Sequence, residues 1–120
     1  MNCCMIDYQE SSGAKIAIVS GISLKGTNDV LDLIGEVFYN GCTRMVLPKD
    51  ALPEEFFSLK TGLAGEILQK FSNYRMKLAI TGGFGDIKSK SLKSFIYECN
   101  NGKQIFFKDT LQNAIDALTR

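Results

Sequence analysis

Four short apolar runs punctuate this chain, and each is followed by a stretch whose apolar residues recur at helical spacing. The runs are Lys15–Ser20, Arg44–Leu47, Arg75–Thr81 and Gln104–Phe107. This alternation leaves few folds open. Parallel strands cannot be joined by a tight turn, and an amphipathic helix between them supplies the crossover. A fifth run, residues 3–10, behaves differently. Only the turn cluster Ser11-Ser12-Gly13 separates it from Lys15, which is too short for a crossover and right for an antiparallel hairpin. The predicted order is ββαβαβαβα, an α/β fold with a mostly parallel five-stranded sheet and an N-terminal antiparallel hairpin. With 120 residues, 45% of them hydrophobic, the chain is expected to form one domain over residues 1–120 around one core.

The longest helical pattern, Phe56 to Phe71, reads as one amphipathic helix with a polar, glycine-containing entry. Leu63, Ala64, Ile67, Leu68 and Phe71 mark one apolar face; Glu66, Gln69 and Lys70 fall on the other. The spacing predicts a single amphipathic helix ending at Ser72-Asn73, with Asn73 left-handed. Gly62 and Gly65 in its first turn suggest that something comes close to this backbone, since glycine in a helix costs roughly 0.5–1 kcal/mol. Upstream, Thr27 or Asn28 is the expected cap of a helix starting near Asp29. Its apolar face is Val30, Leu31, Ile34, Val37 and Phe38, and Gly41 ends it. Ser89 or Ser91 is expected to cap the third helix, with Leu92, Phe95, Ile96 and Cys99 inward. Thr110 is expected to cap the last, with Leu111, Ala114, Ile115 and Leu118 inward. The polar side of Arg75–Thr81 predicts one sheet face better covered than the other.

Charge and composition exclude several functions. Fourteen basic and thirteen acidic residues give a formal charge of +1, without the basic excess of a nucleic-acid binder. No apolar run approaches the ~20 residues that span a bilayer, so no membrane association is expected. The first residues, Met1-Asn2-Cys3-Cys4-Met5, do not read as a signal peptide. There is no histidine, so a Ser-His or Cys-His nucleophile is excluded. Cys3, Cys4, Cys42 and Cys99 contain no C-x-x-C pair. They predict neither a metal site nor a disulfide, but reduced thiols in a cytoplasmic protein.

Two stretches stand out as binding sites. Lys60-Thr61-Gly62 lies at a predicted helix start, where free N–H groups and a cation suit an anion. The plainer reading is that Ser58 or Thr61 caps the helix. Gly82-Gly83-Phe84-Gly85-Asp86 follows the fourth strand. Its glycines do not fit G-x-G-x-x-G, so it reads as a surface loop with Phe84 as an anchor. Asp50, Glu54, Glu55 and Asp86 are the carboxylates near these connections, and Lys88, Lys90, Lys93 and Lys103 form a mildly basic patch. Both connections follow the carboxyl ends of parallel strands, the edge at which open α/β sheets bind ligands.

Residues 56–80, FFSLKTGLAGEILQKFSNYRMKLAI, and 89–107, SKSLKSFIYECNNGKQIFF, closely resemble an uncharacterised bacterial family, domain of unknown function 4180. That resemblance covers nearly the whole chain and brings no established activity. At the level of fold, the element order and Phe57–Leu63 look like the STAS domains of anti-sigma-factor antagonists. There a kinase phosphorylates a serine just before a Gly-Leu helix start. Placing Gly62-Leu63 on that Gly-Leu puts Thr61 on the second serine, Lys60 on the phosphorylated serine and Leu59 on the preceding aspartate. Both switch residues are absent, so the resemblance implies a STAS-like fold without the phosphoswitch.

The expectation is a non-catalytic cytosolic interaction or regulatory module, with no catalytic residues, metal or cofactor and with a protein partner. Homo-oligomers are left open. The alternative is a small-ligand or anion-binding domain. In either case the expected surface is Lys60, Thr61, Gly62, Gly83, Phe84, Gly85 and Asp86. A third option is an enzyme working through carboxylates and lysine.

Overall fold

The computed structural model describes residues 5–119. Among them the strands are β1 (Met5–Ser11), β2 (Ala14–Ser20), β3 (Arg44–Pro48), β4 (Lys77–Thr81) and β5 (Ile105–Lys108). The helices are α1 (Thr27–Tyr39), α2 (Leu63–Asn73), α3 (Lys90–Asn101) and α4 (Leu111–Leu118). The strands lie in the order β1-β2-β3-β4-β5. β1 pairs antiparallel with β2 from Met5↔Ser20 to Ser11↔Ala14, and all other pairs are parallel. The architecture is the mixed α/β sheet that the alternation predicts. Cys3 and Cys4, assigned to the first strand from sequence, lie outside the described residues.

This order explains the layering. Each crossover joins one strand to its next neighbour in the same direction, so crossovers of a single hand stack their helices on one face. That face holds the main core. Val30, Ile34 and Val37 of α1 and Ala64, Ile67 and Phe71 of α2 pack there on Ala17, Met45, Leu47, Leu78 and Ile80. Phe95, Ile96 and Cys99 of α3 pack against its margin. No crossover remains for the opposite face. The chain reaches it after β5, where Ala114, Ile115, Ala117 and Leu118 of α4 close over Ile16, Val46, Ala79 and Phe106. One face is thus better covered than the other, as expected.

Several local expectations need correction. Residues 56–71 are not one helix. Pro53 and Ser58 take extended conformations, 3-10 turns occupy Glu54–Phe57 and Leu59–Thr61, and α2 starts at Leu63. Gly62 stands at φ +74, off the helical path. Phe56 reaches the core from the first of these turns, as Ala51 does from the preceding 3-10 turn Lys49–Ala51. Nor does anything approach the two glycines: a Cβ at Gly62 or Gly65 would meet nothing within 4 Å. Gly62 is needed for its left-handed backbone, and Gly65 has no such need.

α1 starts two residues early, after Gly26, which offers no side-chain cap. Asp29 instead folds its carboxylate back onto the Lys25 amide at 2.8 Å. The inner face of α1 includes Leu33, while Phe38 is half exposed. Leu111 of α4 is also partly exposed, and Ala117 is buried in its place.

The left-handed residue after α2 is Arg75 (φ 53), not Asn73. Arg75 N–H donates to Ser72 O and Met76 N–H to Phe71 O, both at 2.9 Å. This is a Schellman closure, in which buried Met76 meets buried Phe71. Gly41 closes α1 in the same way, with Gly41 N–H to Phe38 O and Cys42 N–H to Val37 O. Ser89 and Thr110 cap α3 and α4, accepting from the amides of Leu92 and Asn113.

Candidate functional site

The two predicted stretches follow β3 and β4 at the carboxyl end of the sheet. β3 and β4 are paired from Arg44↔Lys77 to Pro48↔Thr81, so the chain leaves both strands side by side. Lys49 comes directly after β3 and Gly82 directly after β4. The two backbones run so close that a Cβ at Gly82 would lie 2.7 Å from the Cβ of Lys49. Gly82 also sits at φ +155, and its N–H donates to Lys108 O at 3.1 Å, tying the loop to the end of β5. This is the glycine at which a close approach excludes any other side chain.

Lys49 joins the two connections. Its ammonium donates to Gly83 O at 2.7 Å and lies 5.2 Å from the ring of Phe84 and 5.7 Å from that of Phe57. A cation over two aromatic faces is attracted by both ring quadrupoles. Phe57 and Phe84 bear on the core through edge contacts with Phe56 (5.0 Å) and Phe107 (5.4 Å). Sequence reasoning missed Lys49. Its one signal was a lysine directly after a strand that ends in proline.

Of the predicted residues, Lys60, Thr61, Gly62, Gly83, Gly85 and Asp86 are exposed. Thr61 has a structural task. Its hydroxyl is placed to donate to Glu55 O at 2.8 Å or Ser58 O at 2.9 Å, and it accepts from Leu63 N–H at 3.2 Å. It therefore brackets the 3-10 turns and takes the first free N–H of α2. Phe84 is half-buried and packs on Phe107, a contact that anchors the loop and leaves part of the ring accessible. Among the described residues no hydrogen bond joins Lys60–Gly62 to the Gly82–Asp86 loop. Their connection runs indirectly through Phe57 and Lys49.

Beyond the loop lies a cavity of about 540 Å³ between α3 and the start of α4, walled in part by Phe84, Asn100, Phe107 and Asp109. Asn100 completes the edge of β5 as a further strand would. Its side-chain amide donates to Phe107 O at 3.2 Å, and its carbonyl accepts from Phe107 N–H at 2.7 Å. Asp109 has its carboxyl held below the usual value, first by the 2.8 Å hydrogen bond from Asn113 and then by backbone amides and Lys108.

The two described cysteines are free thiols. Cys42 is buried, and its S–H is shared between Lys15 O and Arg44 O at 3.3 and 3.1 Å, a packing role. Cys99 is pushed up, first by burial and then by the Glu98 charge, which keeps it a thiol. At the opposite end of the sheet, Phe38, Tyr39 and Tyr74 form an exposed aromatic group, with Phe38 and Tyr74 edge-on at 5.7 Å.

The fold defines a mixed α/β protein whose connections converge beyond the carboxyl ends of β3 and β4. The profile of the family described as "Domain of unknown function (DUF4180)" matches residues 11–118, and the chain belongs to that family. No curated protein matches the sequence. Among the described residues, no helix is long and apolar enough to cross a membrane.

Proposed function

We propose that this protein is a single-domain, non-catalytic regulatory module of STAS-like kind that acts in the cytoplasm by binding a protein partner. The partner surface is the carboxyl end of the sheet. The observation that carries this reading is Lys49, whose bond to Gly83 and place between Phe57 and Phe84 tie two separate connections into one surface. Exposed Lys60, Thr61, Gly62, Gly83, Gly85 and Asp86 at the rim of this surface are accessible to a partner. The free thiols Cys42 and Cys99 are in keeping with a reducing compartment. Anion binding at Lys60-Thr61-Gly62 is less well supported, since the Thr61 hydroxyl and the Leu63 amide are already engaged with each other.

The test is capture of partners from the native host by wild type, Lys60→Glu and Asp86→Lys. Both positions are exposed, so both variants are expected to melt like wild type. Loss of the same partner by both supports the surface. Equal capture by all three moves the site elsewhere, with the aromatic group at Phe38, Tyr39 and Tyr74 as the next candidate.

A further inference from the structure

The two edges of the sheet are finished differently. β5 is four residues long, and the Asn100 side chain takes both the N–H and the carbonyl that Phe107 turns outward. β1 is seven residues long, and among the described residues nothing pairs with its outer edge. Sheet edges are commonly shielded by lysine, proline, a bulge or a covering segment. β1 has no lysine or proline. Its register with β2 runs unbroken from Met5↔Ser20 to Ser11↔Ala14, without a bulge. It is an open template for a further strand.

The hairpin turn fixes which backbone groups point outward. Ser12 and Gly13 both have positive φ, 52 and 80, the pattern of a two-residue type I′ turn. Such a turn is closed by a hydrogen-bonded pair, here Ser11 and Ala14, and bonded pairs then alternate along the ladder. Gln9, Asp7 and Met5 direct their backbone groups to β2. Glu10, Tyr8 and Ile6 turn theirs to the open edge. The side chains divide by the same parity. Ile6 and Tyr8 pack toward the main core, while Met5, Asp7 and Gln9 are exposed on the other face. A further strand can therefore add to this edge without moving the hairpin.

We propose that β1 pairs antiparallel with β1 of a second copy of this chain about a two-fold axis at Tyr8, joining the two sheets into one. An axis normal to the sheet reverses strand direction and keeps both faces, so each residue opposes one of its own parity. At Tyr8 this sets Tyr8 against Tyr8, Ile6 against Glu10, Asp7 against Gln9 and Met5 against Ser11. The outward N–H and carbonyl groups of Ile6, Tyr8 and Glu10 then all find partners on the other copy. Charge selects this register. An axis at Asp7 or Glu10 would set like carboxylates directly opposite, which destabilises a pair. Tyr8 is the middle residue of β1, so an axis there uses the whole strand. It also gives Asp7 an amide donor. Gln9 Nε2 already donates to Asp7 Oδ2 of its own strand at 3.1 Å, and the same groups can bond across the axis. A second copy carries the matching groups by symmetry, as an isologous interface requires. The proposal is independent of the partner surface beyond β3 and β4.

The test is sedimentation of the full chain over a wide concentration range, with amide hydrogen exchange at its two ends. A monomer–dimer equilibrium is expected. The amides of Ile6, Tyr8 and Glu10 are expected to exchange about tenfold more slowly in concentrated than in dilute solution, while those of α2 do not change. Gln9 is exposed, so its variants are expected to fold like wild type. Gln9→Lys sets an ammonium opposite Asp7 and is expected to tighten the dimer severalfold. Gln9→Glu sets like charges there and is expected to weaken it severalfold. Glu10→Pro removes an outward N–H that β2 does not use, so the hairpin is expected to survive while dimerisation is lost. If that variant does not fold, the Gln9 pair decides. Each of the following would overturn the proposal: a monomer at every concentration, protection that rises elsewhere, such as around Phe38, Tyr39 and Tyr74, a folded Glu10→Pro variant that dimerises like wild type, or the same response to Gln9→Lys and Gln9→Glu.

Discussion

On one face of the sheet, three crossover helices close over Ala17, Met45, Leu47 and Leu78; on the other, α4 alone closes over Val46, Ala79 and Phe106. The β1–β2 hairpin extends past α4, leaving Met5, Asp7 and Gln9 exposed and Ile18 half-buried on that side. The difference follows from connectivity. Strands laid down in sequence order send every crossover helix to the same side, and only the segment after the last strand is free to cover the other. Stability is therefore expected to be unequal across the sheet.

The largest test of this inequality is Phe71→Ala. The ring is fully buried between α2 and the sheet, and its loss is expected to cost about 3–5 kcal/mol in denaturant unfolding. A cost below that of any α4 truncation would invert the comparison. Leu118→Ala removes an equally buried side chain from the thinner face. The cost expected there is about 2–3 kcal/mol, the low end for such changes, because α4 packs on that face with no neighbouring helix and can shift into the space. Amide exchange sharpens the point: α4 is expected to open at lower free energy than α2.

The glycines of α2 give opposite signs within a few residues. Gly62→Ala forces a side chain into the left-handed region and is expected to cost about 1–2 kcal/mol. Gly65→Ala is expected to stabilise by about 0.5–1 kcal/mol, since its Cβ meets open space. A loss at Gly65 would show a close neighbour on this helix after all.

The smallest effect is one of pH at the margin of the thicker face. Cys99 holds its proton more tightly folded than unfolded, owing first to burial and then to Glu98. The associated stability is fully present below the ordinary thiol value, about 8.5, and is lost as pH rises through the higher folded value. Thermal unfolding at rising pH, wild type against Cys99→Ala, is expected to show a shallower decline in the variant. Parallel curves would mean that Cys99 titrates alike in both states.

The hairpin, the crossovers and the two side-chain caps at Ser89 and Thr110 were legible because each rests on local spacing or local chemistry. The surface residues were only partly so. Lys60, Thr61, Gly62, Gly83, Gly85 and Asp86 are exposed where the connections predicted, while the Thr61 hydroxyl is engaged within its own turn and Phe84 is half-buried against Phe107. Whether a hydroxyl or a ring is free depends on what the rest of the chain brings to it, and Lys49 arrives from the preceding strand. That the hairpin leaves β1 as an open edge depends on strand order, which sets every later strand beyond β2.

Periodicity, turn chemistry and the alternation of runs by themselves determined the α/β class, the antiparallel start and the parallel remainder, because these follow from forces between residues close along the chain. Tertiary structure alone decided the strand order, the break of residues 56–71 into turns and a shorter helix, and which polar groups remain unpartnered. Those outcomes are set by burial among segments distant in sequence. Phe56 is buried from the turns and Ile67 and Phe71 from α2, and the left-handed Gly62 between them lets both segments reach one core.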